Sequence, residues 1–148
     1  MSNWEQTFVN KLNAAQSQYK QAFEHAVSGH VDAAFEGLNE FLGNNGFTLS
    51  TPVSEPGRHS FKFELSENAY VLMIFRAQGV GEFELRCETF VPSHEPLLVR
   101  VVGQVAEVDQ AWATNRFQST LNGFVERLGE SSGPGASRPQ VADELVVV

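Results

Sequence analysis

From Phe47 onward the apolar residues of this chain recur at every second position, and the last segments that carry this alternation are joined by connections only a few residues long. The alternation predicts strands at 47–51, 60–66, 69–76, 82–90 and 97–103, punctuated by loops at "PVSEPGR", "QGVG" and "PSHEP". A crossover between parallel strands needs a dozen or more residues. The four strands from residue 60 onward must therefore form an antiparallel meander.

Before Phe47 the apolar spacing is three to four. Ser2 and Glu5 fit a capping box, and Trp4, Phe8, Leu12, Ala15, Tyr19, Phe23 and Ala26 then mark one face of a helix of about seven turns. Val31, Ala34, Phe35, Leu38, Phe41 and Leu42 mark a second helix, stopped by "GNNG" at 43–46. A break is expected between the two at Gly29. Asp109 caps a last helix that runs to about Leu128 and stops at Gly129, with an apolar set of Phe117, Leu121, Phe124, Val125 and Leu128. Trp112 falls roughly opposite that set. The fold class is thus α+β: two N-terminal helices, a five-stranded, mainly antiparallel sheet, one C-terminal helix and a flexible tail. Residues 1–129 form a single domain. Residues 130–148 read as a linker, "ESSGPGASRPQ", followed by the short apolar segment "VADELVVV".

One strand departs from the pattern. "NAYVLMIF" (68–75) is apolar at every position from Ala69, whereas its neighbours "FKFEL" and "EFELRCET" alternate with charge. Even-length turns on both sides would set Tyr70, Leu72 and Ile74 on the face of Phe61, Phe63, Leu65, Phe83, Leu85 and Cys87. The row Val71, Met73 and Phe75 would then point away, rimmed by Lys62, Glu64, Glu84, Arg86 and Glu88. An odd turn exchanges the rows but still leaves one extra. An apolar stripe bordered by charge has the character of a partner surface, unless a helix of the same chain covers it. Val71, Met73 and Phe75, with Trp112, are therefore the candidate binding residues. The first helix adds a polar side rich in Asn and Gln, which costs less to desolvate against a partner than a charged one.

The chain has 10 Lys and Arg against 18 Asp and Glu, for a net charge of −8, and its basic residues are scattered. That balance argues against nucleic acid and against a basic membrane-surface helix. No apolar run has the roughly 18 residues of a spanning helix, and the first ten residues lack a secretory signal pattern. A single cysteine excludes an intrachain disulfide framework and suits a cytoplasmic setting. No nucleophile elbow, phosphate loop, zinc-protease helix or Cys-x-x-Cys occurs. His25 and His30 do not share a helix face, and Cys87 reads as a small buried side chain. The residues thus offer no catalytic set, no metal site and no cofactor.

The stretch "FEGLNEFLGNNGFTLS" resembles the opening of the class I type III secretion chaperones, and the meander and final helix extend that likeness loosely over residues 30–128. The chain departs from that family at Gln78–Gly81, where the family inserts a helix, and in its N-terminal helix. The resemblance implies a small protein that binds protein as a dimer. Together these readings favour a non-enzymatic protein-binding module, a homodimeric chaperone or adaptor. The alternative is a carrier or enzyme with an apolar cavity between sheet and last helix, lined by Trp112, Phe117 and Tyr70.

Overall fold

The computed structural model describes residues 2–132. It is an α+β fold in which a six-stranded antiparallel sheet carries all its helices on one face. Helix α1 spans Asn3–Ala26 and opens with the expected capping box. The Glu5 N–H donates to Ser2 Oγ at 3.2 Å, and the Ser2 N–H donates to Glu5 Oε1 at 3.1 Å. That backbone hydrogen bond from Ser2 holds the Glu5 carboxyl below its usual range.

The expected break at Gly29 is absent. Val27–Val31 forms one turn of π-helix and the chain continues into α2, Asp32–Gly37. A π-turn admits an extra residue without ending the hydrogen-bonded run, and Gly29 is exposed, so nothing there forces a corner. The direction changes instead at Leu38, before α3, Asn39–Gly43. "GNNG" then stops the run: Gly46 is left-handed at φ +91, and Asn45 Nδ2 donates to the Phe41 carbonyl at 2.8 Å.

The strands are β1 Thr48–Ser50, β2 Ser54–Glu55, β3 Arg58–Ser66, β4 Ala69–Gln78, β5 Glu82–Phe90 and β6 Leu97–Gln104. Their order is β1-β3-β4-β5-β6, with the short β2 pairing beside β3. A 3-10 turn at Val105–Glu107 leads to α4, Gln110–Ser132, which passes through the expected stop at Gly129. Residues 130–132, read from sequence as linker, therefore belong to α4. The rest of the expected tail lies outside the described residues.

The core lies between the sheet and two helical rows, one from Phe23 through α2 and one from α4. Phe117 of α4 is at its centre, with ring centroids 6.0 Å from Phe35, 5.8 Å from Phe61 and 5.4 Å from Phe63. Edge-on packing of this kind suits the ring quadrupoles. A five-strand sheet about 24 Å wide holds two helix rows on one face, and it does so here. The first helix outruns it.

Candidate binding surface

The register of β4 decides which row is buried. Ser66 pairs with Ala69 as a two-residue turn requires, but a bulge at Leu65 shifts the ladder, so that Glu64 pairs with Tyr70, Phe63 with Val71 and Phe61 with Met73. On the other side the loop holds three residues, Gly79 to Gly81, with Gly79 at φ +54 and Gly81 at φ +73, and pairs Met73 with Cys87 and Phe75 with Leu85. Both connections are therefore odd, and the rows exchange. Val71, Met73 and Phe75 are not a partner surface; they lie in the core, exposed by 0%, 0% and 2%. Trp112 also packs within the chain. Its ring meets Phe83 at 5.2 Å and Phe75 at 6.0 Å edge-on, and the Arg116 guanidinium stands 5.6 Å over it. With these aromatics interlocked, the cavity expected between the sheet and α4 is filled, and Tyr70 is on the opposite face. The void bounded by Phe23, Val27, Phe75, Phe83 and Val105 measures only about 10 Å³. Cys87 is buried beneath α4, and burial pushes its thiol up to about 11, well away from a nucleophile's range.

The extra row is Tyr70, Leu72 and Ile74, on the face without helices. It is half-buried under neighbouring side chains of its own sheet. Tyr70 stacks on Phe90 at 4.5 Å, and Lys62 Nζ lies 4.5 Å over its ring while pairing with Glu64 at 3.1 Å. Glu84 lies beneath two arginines: Arg100 Nε donates to its Oε2, and Arg76 Nη2 is 3.1 Å from its Oε1. Long basic stems laid across apolar surface shield it while their charged ends stay wet. The Tyr70, Leu72 and Ile74 row is largely covered in this way, while Leu98 and Val102 of β6 stay exposed on the same face, at 52% and 42%.

The Arg100 hydrogen bond, with the charges of Arg76 and Arg86, outweighs the cost of burial and holds the Glu84 carboxyl below its ordinary value of 4.5. A depressed folded-state value contributes stability that is complete above the unfolded value. It is lost as pH falls through the lower folded value. Urea midpoints measured at pH 6 and pH 3 should therefore differ less in Glu84→Gln than in the parent chain.

A third region is an open cleft of about 600 Å³ between α2 and the β1–β2 segment, lined by Asp32, Glu36, Asn39, Ser50, Thr51 and Ser54. Burial raises the Asp32 carboxyl, with His59 opposing. His59 is on β3 and half-buried. Its Nε2 is 2.7 Å from Glu24 Oε1, and its Nδ1 is 3.4 Å from Ser54 Oγ. A Ser–His–Glu chain invites a nucleophile reading, but such chemistry needs backbone donors for an oxyanion. Here the Gly57 N–H donates to Glu24 and the Val53 N–H to Ser60 Oγ. What these contacts do is tie Glu24, near the end of α1, to the start of β3. Among the described residues no group of three or more His, Cys, Asp or Glu is placed to hold a metal ion.

That clamp is at the root of the most exposed apolar surface. Every residue from Ser2 to Ala22 is exposed, and Phe23 is the first buried residue of α1. Helix α1 is therefore an arm, overhanging the sheet at the Gly79–Gly81 hairpin, where a Cβ on Gly81 would come within 3.0 Å of the Tyr19 ring. Along the arm Trp4 is 71% exposed, Phe8 50%, Leu12 43% and Tyr19 48%. Trp4 and Phe8 stack at 5.3 Å, one turn apart. This stripe was legible from its spacing; its lack of cover among the described residues was not. No helix of the described residues is long and apolar enough to cross a membrane. Comparison with protein-family models, curated proteins and solved structures finds nothing that matches this chain.

Proposed function

We propose that this chain is a non-enzymatic protein-binding module, of the chaperone or adaptor kind, whose recognition element is the α1 arm. The observation that carries the reading is the exposed stripe of Trp4, Phe8, Leu12 and Tyr19. At about 25 cal/mol per Å², leaving four such side chains in water forgoes several kcal/mol. Little else holds the arm helical. Capping, the Trp4–Phe8 stack and the Gln6–Asn10 hydrogen bond at 3.1 Å are worth at most about 2 kcal/mol for the cap and about 0.2–0.5 kcal/mol for each pair. Helices in proteins take most of their stability from packing an amphipathic face rather than from propensity, so a partner laid on the stripe would both bury it and steady the helix.

A protein suits the arm better than a lipid surface. Its charges are Glu5 and Glu24 against Lys11 and Lys20, which leaves no basic face for anionic headgroups. The amide-rich remainder desolvates cheaply. The resemblance to class I type III secretion chaperones and the lone buried cysteine fit the same reading, with the cytoplasm as its setting.

The test is a photo-reactive benzophenone side chain placed at Phe8 in the full chain and activated in the expressing cell. Covalent adducts with protein are expected from position 8 and not from Asn10, on the opposite side of the arm. Equal labelling from both positions, or none from either, removes the reading.

A further inference from the structure

Resting on that reading, we infer that the arm's partner is a second copy of this chain, paired antiparallel along α1. The first ground is the spacing. Trp4 and Ala15, Phe8 and Tyr19, Leu12 and Phe23, and Ala15 and Ala26 are each eleven residues apart. An eleven-residue repeat gives 3.67 residues per turn, close to the straight helix, so its stripe stays in line along the whole arm. This is the pattern of a helix built to lie along another helix.

The second ground is geometric and fixes direction. The free part of the stripe and its buried part, Phe23 and Ala26, lie on one line, and the buried part faces the chain's own sheet. In a parallel pair each domain would occupy the space needed by the other helix's end. In an antiparallel pair each arm ends where the other's domain begins, and the shared segment runs from Trp4 to Tyr19, whose ring sits beside its own Gly81 and is 48% exposed.

The third ground is complementarity. Over that segment the antiparallel register sets Trp4 against the second copy's Tyr19, and Phe8 against its Ala15. Leu12 meets its own mate at the two-fold axis. A large side chain opposite a small one fills the seam without a void. Glu5 and Lys20 flank the same side of the stripe. In this register they come within about two residues, roughly 3 Å of axial rise, of each other across the pair. Counting large apolar side chains at roughly 150–250 Å² each and scaling by their exposure, the stripe offers roughly 400–500 Å² per chain, or about 800–1,000 Å² for the pair, at the lower edge of a specific interface.

The full chain should sediment as a dimer at micromolar concentration. Phe8→Glu should weaken association at least ~100-fold, as a charge placed in an apolar seam, with the domain's unfolding midpoint unchanged. Glu5→Lys and Lys20→Glu should each weaken it several-fold, and the double exchange should restore it. When chains carrying Phe8→Cys are mixed with chains carrying Ala15→Cys, a mixed disulfide should form that neither chain forms with itself. A monomer at high concentration, or 8-to-8 and 15-to-15 disulfides in place of the mixed one, overturns the proposal. A monomer that still gives adducts from position 8 with other proteins overturns the dimer and leaves the binding function standing. A monomer with no adducts removes both.

Discussion

Met73→Glu is expected to abolish cooperative folding, whereas Leu72→Glu, one residue away, leaves it intact. Met73 is fully buried, pairs with Phe61 on one side and Cys87 on the other, and faces the helices. A carboxylate there meets no described cation, and either stays charged at great cost or takes up a proton and still buries a polar group. The loss, at least ~4 kcal/mol, is a large part of the ~5–15 kcal/mol that holds a domain of this size together. Leu72 is on the other face, half-buried, paired with Lys62 and Glu88. Its replacement leaves the carboxylate in water beside an ammonium, and a change within ~1 kcal/mol is expected. Urea unfolding followed by circular dichroism distinguishes the two. If Leu72→Glu were the damaging substitution, the β3–β4 register described above would be wrong by one residue.

That pair of residues also marks where sequence patterning stops. The period change at Phe47, the four-strand meander and the final helix are all written in local spacing, because alternation and short connections leave no other topology. Which face of β4 is buried depends on the parity of two turns. A bulge at Leu65 and a three-residue Gly-Val-Gly loop each shift the ladder by one, and nothing in the alternation of β3 or β5 registers the change. The π-turn at Val27–Val31 was hidden for a related reason: Gly29 reads as a breaker, yet a glycine with open space around it can continue a helix. The Glu24–His59 contact joins residues 35 apart in the chain and has no local signature. The arm was the most deceptive element. Its stripe has the same spacing as a buried helix face, and only the structure shows that everything before Phe23 is exposed, with Tyr19 already at the Gly79–Gly81 hairpin.

Phe117→Ala and Trp4→Ala remove comparable aromatic surface, and they should have opposite consequences. Phe117 is fully buried and touches Phe35, Phe61 and Phe63, so it joins α2, β3 and α4 at one point. Truncating it removes three ring contacts, two of them edge-on, and leaves a cavity that close-packed neighbours cannot fill, a cost of about 3–5 kcal/mol. The expected reading is a fall of roughly 10–20 °C in the thermal midpoint, at about 3–4 °C per kcal/mol for a domain of this size, with the α4 amides exchanging faster. Among the described residues the one ring contact of Trp4 is with Phe8, one turn along its own helix. Trp4→Ala should leave the midpoint of the sheet domain where it is, measured at a concentration low enough to keep arms apart, and should show its effect only in what the arm holds. The same kind of residue thus maintains the fold at one end of the molecule and is free to bind at the other. A drop in domain stability on Trp4→Ala at high dilution would mean that the arm folds back on its own chain.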